Sequence, residues 1–169
     1  MGNKIVRSEL IKEAIIEDPL VRLPIDEFEE YKLICLDEGK IPAPPEPEQH
    51  EYVSYIDTIG RDKYFRKPTE ARAEELFHAH VWQEGCCWGE GDDLLIQWAC
   101  TSNSYVVYSY FVDIDDDHHI YIIDYCKDKA HDLIEDKQQV SIWTEQAKQY
   151  RLQHIKPASR AFLWVRRPL

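Results

Sequence analysis

LFHAHVW, residues 76–82, has a period of two. Read as a strand, it sends Phe77, Ala79 and Val81 to one face and Leu76, His78, His80 and Trp82 to the other. From about Leu76 onward the chain keeps this strand spacing. GCCWGEGDD, residues 85–93, is a turn-rich connection, and LLIQWAC, residues 94–100, is predicted as a second strand. SYVVYSYFV, residues 104–112, is apolar at both alternating sets of positions. It is therefore expected at the centre of a sheet, covered on both sides. DIDDDHH, residues 113–119, joins it to a fourth strand, IYIIDYC, residues 120–126.

Helical spacing flanks this region on both sides. Ser8 to Glu17 is predicted to be helical and to end before Pro19. In the next helix Asp26 is placed to cap and Glu29 follows three residues later, a capping-box arrangement. Phe28, Tyr31, Ile34 and Cys35 form its apolar stripe, and Gly39 is placed to end it. Four prolines between Pro42 and Pro47 make residues 40–52 an expected extended surface loop. A closing helix is expected from about Gln138 to Gln153, with Val140, Trp143, Ala147 and Tyr150 at helical spacing. The expected fold is α+β: N-terminal helices, an antiparallel meander of about four strands, then a C-terminal helix. At 169 residues the chain is read as a single domain, residues 1–169, with a basic C-terminal extension at 152–169.

Composition narrows the function. No apolar run approaches the ~20 residues that span a bilayer, and MGNKIVRSEL carries no continuous apolar leader. No membrane partner and a cytoplasmic location are the expectation. Five cysteines without a CxxC argue against a disulfide framework or a structural zinc site. The formal net charge is −12, but no acid follows Glu145, and Arg61, Lys63, Arg66, Lys67 and Arg72 form a second basic patch. An acidic body with two basic patches does not read as a general nucleic-acid binder, and direct DNA binding is not expected. Local grip on phosphate, or binding to a basic protein, stays open.

Three groups of residues could carry chemistry. The first is DIDDDHH, which holds metal-ligand types but sits between two apolar strands, where a polar cluster is the solvated turn. The second is the pair His78 and His80, whose rings leave one face of a strand and can present two titratable groups to one ligand. The bland alternative is a merely polar outer face. The third is GRDKYF, residues 60–65, a compact turn whose Arg61 could hold a phosphate bidentately or pair within the protein. Nearer the C-terminus, Asp136 can be a helix cap and His131 a surface residue.

Taken in order, five stretches resemble one family, the YafO-type toxins, which are ribosome-dependent mRNA interferases of type II toxin–antitoxin systems. EFEEYKLICLDEGKIP is similar to the family's YK…G-x-x-P stretch, and IGRDKYFRKP resembles its FGRD…Y…P element. LFHAHV resembles its H-x-H strand and CTSNSYVVYSYF its third motif. YIIDYCKDKAHDLIEDKQQVSIWTEQAKQYR is similar to its closing pattern of a strand, a late His, a charged Asp and a helix. The resemblance covers about residues 27–151. Asn103 stands where the family has aspartate, and Glu135 where arginine is expected.

The resemblance implies a RelE-like broad architecture and metal-independent cleavage of mRNA on the ribosome, with no cofactor and a cognate antitoxin as partner. It carries catalytic roles onto His78, His80, His131, Asp62 and Asp136. It carries phosphate or RNA contacts onto Arg61, Lys63, Arg66, Thr101, Ser102 and Arg151. The competing class is an acidic immunity-like protein that steers toward a basic partner without catalysis. A metal-dependent hydrolase built on His78, His80 and the Asp cluster is a third.

Overall fold

A computed structural model describes residues 2–89 and 95–155, so residues 156–169 of the expected basic extension lie outside the described residues. Five strands form one mixed sheet: β1 (Asn3–Arg7), β2 (Ile59–Tyr64), β3 (Leu76–Val81), β4 (Tyr105–Val112) and β5 (His118–Cys126). Their order is β1-β5-β4-β3-β2. β2 to β5 run as an antiparallel meander, and β1 adds parallel to β5. As its apolar pattern requires, β4 lies at the centre, with Tyr105 to Ser109 all buried.

Helices cover both faces, which is why β4 is apolar at nearly every position. α1 (Glu9–Glu17) and α2 (Arg22–Asp37) close one face over Ala79, Val106, Tyr108, Ile120 and Ile122. α4 (Thr69–Ala73), α5 (Ala130–Glu135) and α6 (Lys137–His154) close the other over Leu76, Tyr105, Val107 and Ile123. Among the described residues, no helix is long and apolar enough to cross a membrane.

Helix ends follow the local chemistry. The Ser8 hydroxyl accepts from the Ile11 N–H at 3.2 Å and donates to the Ile123 carbonyl at 2.7 Å. One side chain thus caps α1 and ties its start to β5. Gly39, at φ +69°, ends α2. Its N–H reaches the Leu36 carbonyl at 3.2 Å and the Lys40 N–H reaches Cys35 at 2.8 Å, a Schellman closure. α2 begins at Arg22, a turn earlier than expected. Asp26 is therefore no cap: with Glu29 it holds the Arg7 guanidinium of β1 at 2.6 Å.

Two strand assignments exchange places. The described part of LLIQWAC, residues 95–100, is not a strand: Gln97–Ala99 is a 3-10 turn, and Ile96 makes only an isolated bridge to Val53. The Gln97 amide is buried and donates to the Tyr31 hydroxyl at 2.8 Å and the Gly60 carbonyl at 3.0 Å. GRDKYF, expected as a turn, supplies β2 instead. Its polar residues hid the strand, because the inward Asp62 is matched by a lysine from α2 rather than by apolar neighbours. Gly60 marks a close approach, since a Cβ there would meet the Cys100 carbonyl at 2.2 Å.

The proline-rich segment is only partly extended. α3 (Glu46–Glu51) carries Pro47 in its first turn, where a helix tolerates proline. It buries Gln49, whose amide donates to the carbonyls of Pro44 and Asp62 at 2.7 and 2.8 Å. DIDDDHH does turn, with Asp113 accepting from the backbone of Asp115 and Asp117, but its two histidines already belong to β5.

Candidate active site

Strand register assembles the site. Lys63 of β2 pairs with His78 of β3, which pairs with Val107 of β4, and His80 pairs with Tyr105. These side chains share the sheet face that α5 and α6 cover. The His78 ring lies 5.2 Å from Phe65, 4.8 Å from Tyr105 and 5.6 Å from His80.

His78 is 3% exposed, and among the described residues neither ring nitrogen has a hydrogen-bond partner. Burial, then the fields of His80, Lys63, Arg61 and His131, hold its pKa well below the usual imidazole value. It is neutral and keeps a lone pair. An unpartnered buried polar group costs ~1–3 kcal/mol, so the fold must compensate for it elsewhere.

His80 is neutral as well. Burial and Arg61 push its pKa down to about 3, against the Ser102 backbone, whose carbonyl favours the charged ring. Its Nδ1 lies 2.8 Å from the Ser102 N–H and 3.1 Å from the Ser102 carbonyl. The amide can only donate, so the shorter contact makes Nδ1 the acceptor and leaves the proton on Nε2.

Cations border the pair. Arg61 Nε donates to the Trp98 carbonyl at 2.7 Å, and the guanidinium carbon sits 4.5 Å above the Trp98 ring. Partial burial lowers the pKa of Arg61 and of Lys63. Among the described residues, neither has a carboxylate within ion-pair distance, nor has Arg66. His78 and Lys63 open onto a cleft of about 330 Å³, walled by Phe65, Arg66, Lys67 and Glu135. An adjoining cleft shares Arg66, Lys67 and Glu135 and extends to Lys137. Free cations and two neutral imidazoles are what an anionic, proton-exchanging substrate requires.

His131, on α5, is exposed and close enough to depress both buried histidines. Thr101 and Ser102 lie in the loop before β4, where the Thr101 carbonyl accepts from the Trp88 indole at 2.6 Å. The fold thus brings Arg61, Lys63, Arg66, His78, His80, Ser102 and His131 to one region.

It takes three expected site residues elsewhere. Asp62 alternates to the opposite sheet face, pairs with Ala79, and is buried against α2. There it receives Lys32 Nζ at 2.5 Å and the hydroxyls of Tyr108 and Tyr31 at 2.6 and 3.1 Å. Asp136 caps α6, accepting from Gln138 and Gln139 at 2.8 and 3.2 Å. Arg151 forks onto Glu74 at 2.8 and 2.9 Å and fastens α6 to the turn before β3. An Asp136→Ala variant is expected to lose about 1 kcal/mol of stability. Its chemistry should be unchanged, as denaturant melts beside activity will show.

Lys32 escaped the sequence reading, although it occupies an apolar position of the stripe Phe28, Tyr31, Cys35. His119 escaped too. It is fully buried on β5, 2.8 Å from Asp113 and 3.1 Å from the Tyr150 hydroxyl, and fastens α6 to the β4–β5 turn. Among the described residues, no group of three or more His, Cys, Asp or Glu is placed to hold a metal ion.

A family model described as toxin YafO, type II toxin–antitoxin system, matches residues 44–152. Four of the five resembling stretches fall inside it, and EFEEYKLICLDEGKIP falls before it. No curated protein and no solved structure matches the chain.

Proposed function

The chain belongs to the YafO toxin family of type II toxin–antitoxin systems, and from that premise we propose that it cleaves mRNA on the ribosome, as a metal-independent endoribonuclease that arrests translation. A cognate antitoxin is the partner the family implies. One observation supports the chemistry above the others: among the described residues, two buried neutral imidazoles, one with both nitrogens unpartnered, lie beside cations that no carboxylate neutralises.

The roles follow from burial and position. A neutral His78 takes the proton of a ribose 2′-OH, and that oxygen attacks the adjacent phosphorus. Arg61 and Lys63 hold the phosphate and offset the charge that builds on it. His80 offers its Nε2–H to a phosphate oxygen. His131, the exposed imidazole, gives a proton to the departing 5′-oxygen, leaving a cyclic phosphate on the other fragment. Asp62, Asp136 and Arg151 hold the fold and take no part.

Regulated expression with mapping of mRNA 5′ ends tests this. New 5′ ends inside translated messages, abolished when translation initiation is blocked, are the expected result. Growth arrest without new ends would exclude RNA cleavage.

A further inference from the structure

α5 carries His131, yet it starts without a cap of its own. Lys129, the residue before it, has a left-handed backbone at φ 54° and makes no side-chain hydrogen bond to the helix. The missing acceptors come from a distant loop. Asn103 Oδ1 accepts the His131 N–H at 2.8 Å, and the Asn103 carbonyl accepts the Ala130 N–H at 3.2 Å. The Asn103 N–H donates in turn to Gln83 Oε1 at 2.8 Å, just past the end of β3. The preceding peptide N–H, that of Ser102, fixes the tautomer of His80. Two consecutive residues therefore address two histidines that lie 51 positions apart in the chain.

We propose that Asn103 is a positioning residue, which docks α5 on the loop before β4 and so sets His131 at a fixed place beside His80. The inference rests on the ribonuclease reading for its consequence, but not for its geometry. An amide serves here because the position needs an acceptor at a helix start, not a base. An aspartate at this position would supply the same acceptor.

The test compares Asn103→Ala, which removes the acceptor, with Asn103→Asp, which keeps it. Both are read in the full chain by histidine-labelled NMR and by single-turnover cleavage of ribosome-bound mRNA. In N103A the His131 ring signals should move, while the His80 nitrogen shifts, which report its tautomer, stay put. Cleavage should fall about 100-fold, the usual effect of displacing a catalytic group by ~1 Å, with KM unchanged. N103D should restore both the His131 signals and the rate.

Unchanged His131 signals in N103A, cleavage by N103A at the wild-type rate, or a failure of N103D to rescue would each overturn the proposal. Should the wild-type chain cleave nothing, the nuclease function falls. The His131 spectra then decide the docking alone: movement in N103A supports it and stasis ends it.

Discussion

An Asp62→Ala variant will lose about 3–5 kcal/mol of stability, the range for breaking a buried ion pair from one side. Lys32 is left behind with no exposed surface and without its carboxylate. Its remaining acceptors are the Pro42 carbonyl at 2.7 Å and the Tyr108 hydroxyl at 2.6 Å, which do not neutralise an ammonium. The aromatic faces around it help only in part, with Tyr108 at 4.1 Å and Tyr31 at 4.9 Å from Nζ. A domain of this size is stable by ~5–15 kcal/mol, so the loss is a large fraction of the whole. The double variant Lys32→Met with Asp62→Leu removes both charges and should recover much of it. Urea unfolding of the single and double variants measures the difference. A single variant within 1 kcal/mol of wild type would show that Lys32 finds another partner. Any loss of toxicity in D62A is therefore expected to track folding, not chemistry.

His80→Ala has the largest expected effect on function. Removing one preorganised donor at a charged transition state commonly costs about 100-fold or more in rate. The variant should stay folded, because Tyr105, Phe65 and Val107 still fill that face. Full cleavage by His80→Ala would strike the residue from the mechanism. The same substitution alters the acid limb of stability. Folding depresses His80 from 6.5 to about 3, so the unfolded chain binds the proton more tightly. The stability due to neutral His80 is complete above pH 6.5 and is lost as the pH falls from there toward about 3. H80A should lose stability less steeply than wild type across that window, and His78 adds a slope of the same sign.

The residues themselves disclosed a good part of this molecule. A period of two in LFHAHVW placed both histidines on one face, and an uninterrupted apolar run placed β4 at the centre, because side-chain alternation is a local property of a strand. The cap of α6 at Asp136 and the glycine end of α2 were equally local. β2 was hidden because RDK breaks the apolar pattern, and what permits those residues in a sheet is a lysine 30 positions earlier. β1 was hidden because two exposed and three half-buried residues have no pattern until β5 lies beside them.

The sequence alone determined the α+β class, the central strand, the shared face of His78 and His80, and the family. Only tertiary structure decided which motif residues meet. Arg61 and Asp62 are neighbours in the chain, yet strand alternation sends one to the histidines and the other into the opposite core. Tyr31, Lys32, Pro42 and Asp62 come from two of the resembling stretches, and they converge on a buried polar cluster instead of the cleft. A motif records which residues are required. Where each requirement is met depends on burial and on partners across the sheet, which no local window of sequence contains.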